Sequence, residues 1–245
     1  MKIKTAIPNI FTAGNMLAGL CAIVATLGSW YYIEYALYCI LIAAAFDLMD
    51  GMVARMLNAQ SSFGKEFDSL CDVVSFGVAP AVVTIRTMQQ YSEPCNDLFC
   101  NQTMFFAFPL LFALAAAIRL AWFNTDERQT KSFLGLPSPA AGMALACISL
   151  YWAELYGIDN AIILLSIASF TFAALMLIPF PLLSLKLHDQ KSIALGIILL
   201  MIAVPLFIFL DLAAIAPLII VYIFISPLIG YIAKIFAKYN STNPS

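Results

Sequence analysis

Apolar residues run in long unbroken stretches along this chain: 8–28, 31–55, 68–90, 104–123, 138–156, 159–180, 192–209 and 212–237. A helix needs roughly 20 such residues to cross the hydrocarbon core of a bilayer. The runs are continuous rather than alternating, which favours helices over the strands of an outer-membrane barrel. The expectation is an all-α integral membrane protein of about eight transmembrane helices, with residues 1–245 as a single membrane-embedded domain. Little length is left over for a separate soluble domain.

Composition agrees with this reading. Of 245 residues, 63% are hydrophobic and 11% charged, and the mean hydropathy is +0.94. Soluble domains carry roughly 45–50% apolar and about 25% charged residues. A soluble enzyme and a disordered chain are therefore poor readings. The net charge of −2 offers no basic surface, so no nucleic-acid partner is expected. Lys2 and Lys4 precede an apolar run, as in a leader peptide. The run continues without a small-x-small cleavage site, so it reads as a first span.

Cations set the orientation. Lys2, Lys4, Arg55, Lys65, Arg128, Lys131, Lys186, Lys191, Lys234 and Lys238 fall on one side of an eight-span arrangement. Arg119 lies near that side, and Arg86 lies toward the other. The opposite face collects Glu34, Glu93, Glu154, Asp159 and Asp211. The asymmetry predicts cytoplasmic termini and cytoplasmic 55–68, 124–137 and 181–191 loops. The location expected is the cell membrane. Cys21, Cys39, Cys71 and Cys147 fall within spans and read as buried apolar residues. Cys95 and Cys100 share the outer 91–103 loop, where a disulfide depends on an oxidising compartment.

The chemistry is concentrated in residues 47–72, DLMDGMVARMLNAQSSFGKEFDSLCD. Asp47 and Asp50 end one apolar run, and Asp68 and Asp72 open the next. A charge at the bilayer centre costs at least roughly 2.5–3.5 kcal/mol, and less toward the interface. Four carboxylates at two neighbouring helix ends therefore call for compensation. At 3.6 residues per turn, Asp47, Asp50, Gly51 and Ala54 share roughly one 100° arc. Asp68 and Asp72 are an i, i+4 pair. Two facing helices, joined by a short connection containing Gly64, can present all four acids to one point. Such oxygen ligands suit Mg²⁺ or Mn²⁺, and a pair of ions about 3.5–4 Å apart can clamp a phosphate undergoing displacement. Gly51 and Ala54 leave space beside the acids, and Arg55 can pair with a carboxylate or a phosphate. A proton or ion pathway is the competing use of intramembrane acids.

Asp47-x2-Asp50-Gly51-x2-Ala54-Arg55-x8-Gly64-x3-Asp68-x3-Asp72 resembles the signature of the CDP-alcohol phosphatidyltransferases, with every fixed position filled. Further stretches resemble the phosphatidylserine synthase branch of that family. These are PNIFTAGNMLAG (Pro8, Asn9, Thr12, Asn15, Gly19), DSLCDVVSFGVAPA, and RLAWFNTDERQTKSFLGLPSPAA. Trp122 departs from the branch, which has a second Arg there. The resemblance covers roughly the first 145 residues; beyond them only the hydropathy is compatible.

The resemblance implies transfer of a phosphatidyl group from CDP-diacylglycerol to L-serine with release of CMP, at the cytoplasmic end of the bundle. It implies Mg²⁺ or Mn²⁺, two ions, on Asp47, Asp50 and Asp68, with Asp72 as general base that also touches a metal. It implies a CDP-lipid pocket of Gly51, Ala54, Arg55, Gly64, Thr12 and Asn15, and a homodimer. Arg119 is the candidate partner of the serine carboxylate, with Arg128 and Lys131 as alternatives. His188, the single histidine, reads as a solvated loop residue. Two other functions compete. One is a sibling transferase using glycerol 3-phosphate, an inositol derivative or choline. The other is an ion- or proton-coupled transporter, disfavoured by the lack of evident inverted repeats.

Overall fold

The computed structural model describes residues 3–28, 33–59, 61–92, 104–125, 133–179, 181–182 and 190–227. They form an all-helical bundle. Helix α1 is Ile3–Leu27, α2 is Ile33–Met56 and α3 is Ser62–Gln90. Helix α4 is Ala107–Thr125 and α5 is Ser138–Cys147. Helix α6 is Gly157–Leu177, α7 is Gln190–Leu210 and α8 is 215–227. A two-residue antiparallel ladder pairs Phe133–Leu134 with Pro181–Leu182. It ties together two connections expected on the same face.

Among the described residues, six helical segments are long and apolar enough to cross a membrane, against the eight spans expected: Ala6–Leu27, Ile33–Met56, Ser62–Gln90, Ala107–Thr125, Asn160–Leu177 and Met201–Pro227. The difference lies in how the later stretches are built. The 138–156 stretch is short α-helix, then π-helix at Ile148–Trp152, then 3-10 helix at Glu154–Tyr156. The last two stretches meet at Asp211, whose φ of +47° breaks the helix into a 3-10 turn, Asp211–Ala214. Aspartate tolerates that left-handed conformation better than most side chains do. Carbonyls freed by the break find donors. The Trp152 indole N–H donates to the Ala213 carbonyl at 3.0 Å.

The connection between α2 and α3 is shorter than expected. Helix α2 closes with Asn58 at φ +47°. The Asn58 N–H bonds the Arg55 carbonyl and the Ala59 N–H bonds the Ala54 carbonyl, the pattern of a left-handed C-terminal cap. Ser61 then caps α3, its Oγ accepting from the Gly64 N–H at 3.0 Å. Gly64 and Lys65 are thus in the first turn of α3, not in a loop.

Small residues bring the helices together, as packing without a hydrophobic drive in lipid requires. Helix α3 is π-helical from Val73 to Val78, and this stretch is the hub. Gly19 of α1 lies against Ser75, Gly77 against Ala113 and Ala116 of α4, and Gly142 of α5 against the Phe76 backbone. Phe76, Phe112, Leu37, Ile40 and Leu145 fill the centre, fully buried. Most buried hydroxyls return to the carbonyl four residues back, as Thr84, Thr87, Ser166 and Ser169 do. Large apolar side chains such as Ile10, Val24, Ile167, Phe209 and Phe224 point outward. A bilayer solvates that surface and water does not.

Candidate active site

Helix α2 runs into the site and α3 leaves it, so the acidic end of one faces the acidic start of the other. One carboxylate oxygen from each of Asp47, Asp50 and Asp68 lies within 4.8 Å of the other two. Asp50 is buried, and Asp47 and Asp68 are half-buried. The Asp68 Oδ1 atom is buried and accepts no hydrogen bond. Three negative groups at this spacing repel strongly where water is scarce. The nearby cations bond neutral oxygens instead. The Arg55 Nε donates to the Gly51 carbonyl at 2.9 Å, the Arg119 Nη1 to Ser138 Oγ at 3.1 Å, and the Lys65 Nζ to the Asn124 carbonyl at 3.1 Å. A hard divalent cation fits this donor set: three carboxylates, one orphaned oxygen and no nitrogen or sulfur ligand among them.

Asp72 stands apart from that trio. It is 7% exposed, and its Oδ1 accepts from the Asn15 Nδ2 at 2.9 Å. Thr12, one turn earlier on α1, donates to Asp50 Oδ2 at 2.7 Å. Two polar residues three apart on α1 thus reach one acid on each of the facing helices. The Ser75 hydroxyl donates to the Asn15 backbone carbonyl at 3.0 Å, which fixes the height of α1 against α3.

Two cavities flank the acids. The first, about 500 Å³, is lined by Pro8, Asn9, Thr12, Asp50, Gly51, Ala54, Ser61, Gly64, Lys65 and Asp68. Its wall is open at Gly51, where an added Cβ would meet nothing closer than the Arg55 Nη2 at 4.0 Å. Gly51 therefore keeps space for a ligand rather than for a neighbouring helix. Gly64 is tighter, with Ser61 Oγ at 3.1 Å and Asn9 Oδ1 at 3.2 Å from such an atom. The second cavity, about 520 Å³, is lined by Asp47, Lys65, Asp68, Ser69, Asp72, Arg119, Asn124, Ser138 and Tyr222 together with apolar residues including Leu48, Phe123 and Met143.

The structure brings together Thr12, Asn15, Asp47, Asp50, Gly51, Ala54, Gly64, Asp68, Asp72 and Arg119 around these two cavities. Arg55 lies at the edge, exposed and turned back onto its own helix. Arg128, Lys131, His188, Cys95 and Cys100 fall outside the described residues. Sequence reasoning placed none of Asn9, Lys65, Ser138 and Tyr222 in the site. The Nδ2 of Asn9 is buried without a partner beside the first cavity. Ser138 holds Arg119, whose Nε is likewise buried and unbonded. Asn9 and Ser138 carried a signal, since both stand in the motif stretches quoted above; Tyr222 carried none.

Known proteins share this pattern. A model of the CDP-alcohol phosphatidyltransferase family matches residues 5–172. Three relatives named CDP-diacylglycerol–serine O-phosphatidyltransferase are similar. The one from Bacillus subtilis is 36% identical over 143 residues, which is 58% of this chain and 75% of that protein. The one from Helicobacter pylori is 38% identical over 146 residues, covering 58% of this chain and 57% of the relative. The one from Methanocaldococcus jannaschii is 36% identical over 139 residues, covering 57% and 58%. The chain thus spans less than two thirds of the latter two. The family match takes in α1, both acidic helix ends and the buried Arg119, and stops short of α7 and α8; the chain belongs to the CDP-alcohol phosphatidyltransferase family.

Proposed function

We propose that this chain is a phosphatidylserine synthase, moving the phosphatidyl group of CDP-diacylglycerol to the hydroxyl of L-serine and releasing CMP. The observation that carries the reading is the acidic trio set between two cavities, one walled by Gly51 and the other holding a buried arginine. The names of the relatives support the choice of acceptor.

In this reading the donor's CDP group lies in the first cavity against Gly51, Ala54 and Gly64, with Thr12, Asn15 and Arg55 around it. Asp47, Asp50 and Asp68, with Asp72 beside them, hold two Mg²⁺ or Mn²⁺ ions, which supply charge neutralisation to the diphosphate. Serine occupies the second cavity with its carboxylate toward Arg119, and Arg128 and Lys131 of the following loop are further candidates for it. Asp72 takes the hydroxyl proton. The serine oxygen bonds the lipid-linked phosphorus, and the bond from that phosphorus to the bridging oxygen breaks. The bridging oxygen keeps the electron pair and leaves as part of CMP. Asn15 holds the Asp72 carboxylate in position for this step. The whole chain acts as one membrane domain, in a homodimer in the cell membrane, with both termini and the site on the cytoplasmic side.

The test is CMP release by purified protein in detergent. Release is expected to require CDP-diacylglycerol, L-serine and Mn²⁺ or Mg²⁺, and to stop on chelation with EDTA. Release driven instead by glycerol 3-phosphate, inositol derivatives or choline would keep the family and remove the serine assignment. A second expectation concerns the open wall. Gly51→Leu should raise KM for the CDP-lipid at least about tenfold, because its branched side chain enters space kept clear for the nucleotide. KM for serine should stay within error and the thermal midpoint should hold or rise slightly, since nothing packs against that position and Leu is the better helix former.

A further inference from the structure

We infer that Lys65 is a catalytic cation of this site, its ammonium contacting the phosphoryl group as that group passes between the two cavities. The inference rests on the transferase reading above. Its starting point is a coincidence of linings. Lys65 and Asp68 are the residues shared by both cavities. Donor and acceptor occupy different cavities but must meet at one phosphorus atom. That atom therefore reacts where the cavities adjoin, beside the residues common to both.

Asp68 already has a use there, as a carboxylate of the acidic trio. Lys65 lies one turn earlier on α3, on the same face. Its place in the first turn is set by the Ser61 cap, and the Lys65 N–H bonds the Ser61 carbonyl at 3.1 Å. An ammonium carries three protons, and one of them is spent on the Asn124 carbonyl at 3.1 Å. That bond holds the flexible side chain across the gap between α3 and the end of α4. Arg55 lines neither cavity, and Arg119 lines only the second. Among the described residues Lys65 is the cation common to both.

The chemistry gives that position a role. Attack by the acceptor oxygen and departure of the CMP oxygen redistribute negative charge over the non-bridging oxygens of the phosphorus. A fixed cation beside them stabilises the transition state more than either bound substrate. The signature would then be a loss of kcat rather than of affinity. A lysine that only fastens α3 to α4 would instead show itself in stability.

The experiment compares Lys65→Gln and Lys65→Arg with the wild-type full chain in detergent. It reads kcat, both KM values, Mn²⁺ affinity by electron paramagnetic resonance, and the thermal midpoint. Lys65→Gln is expected to lower kcat about 100-fold, the order found on removing one donor to a developing charge. Both KM values should move less than about threefold, with Mn²⁺ affinity and midpoint unchanged. Lys65→Arg should recover at least about a tenth of wild-type kcat. Chemical rescue gives a second route: Lys65→Cys should regain activity on alkylation with 2-bromoethylamine, against wild-type protein treated in parallel. An unchanged kcat in Lys65→Gln, a loss lying wholly in KM, or a loss explained by a lower midpoint would overturn the inference while leaving the transferase reading intact. Absence of CMP release from wild-type protein with every acceptor would overturn both.

Discussion

Replacing Asp72 by Asn is expected to cut serine-dependent CMP release by about 10²–10⁴-fold, the range for losing a positioned general base. The substitution keeps shape and volume, and removes the negative charge together with the ability to take a proton. The Asn15 amide can still donate to the new side-chain oxygen, so the 2.9 Å contact has no reason to break. The trio of Asp47, Asp50 and Asp68 does not include this residue. As a carboxylate beside the ions rather than within the trio, Asp72 should cost some Mn²⁺ affinity when neutralised, but less than it costs activity. An Asp68→Asn variant should behave in the opposite way, losing Mn²⁺ affinity together with turnover, since it alters the orphaned oxygen of the trio. Measuring both quantities on both variants separates proton transfer from metal holding. Retention of more than about a tenth of wild-type kcat in Asp72→Asn would falsify the base assignment.

Gly19→Ala is expected to be the most damaging single methyl group on α1. The added carbon would lie 2.7 Å from the Ser75 Cα, a backbone atom that cannot rotate away. Overpacking of this kind costs about 1–3 kcal/mol, and the helix-propensity gain of about 0.8–1.0 kcal/mol for Gly→Ala offsets only part of it. If α1 yields, the Ser75 bond to the Asn15 carbonyl lengthens and Asn15 moves off Asp72. Activity should thus fall more steeply than the thermal midpoint. Gly14→Ala is the control on the same helix. Its added carbon would lie 3.1 Å from the Phe46 ring, a side chain rather than backbone, which has to give by only a few tenths of an ångström. A midpoint and kcat near wild type are expected there. Equal effects at the two positions would show that the close approach at Ser75 has no special consequence.

The acidic site is legible in the sequence because helical spacing is local. Asp47, Asp50 and Gly51 share a face by arithmetic alone, and Asp68 and Asp72 are one turn apart. Thr12 and Asn15 are three apart, which suggests a shared target. It does not reveal that they divide between two acids 38 and 57 residues away. Lys65 is hidden by its own charge, because a lysine between two spans reads as an orientation signal. Its helical placement follows from the Ser61 cap, a weak cue inside the string NAQSSFGKE. Tyr222 reaches the second cavity only through long-range packing of α8. The span count differs for a related reason. Hydropathy marks apolar length, whereas the backbone at 138–156 and at Asp211 changes helix type without changing polarity.

The π-helical stretch of α3 sets how the two halves of that helix are aimed relative to each other. Hydrogen bonds from i to i+5 take in one more residue per turn than α-helical ones. Residues 79–90 are therefore out of phase with 62–72, as if one residue had been inserted between them. The acids on the first half and the apolar contacts of the second half are aimed independently by that offset. Tightening Val73–Val78 to ordinary α-helical pitch, with every residue kept, would leave an unbroken helix. It would also swing the acidic half about 100° around the axis relative to the rest. Such a protein would retain its helix content while its carboxylates faced the wrong neighbours. The wide turn works as a gear tooth, setting the angle at which a catalytic half-helix meets a structural one.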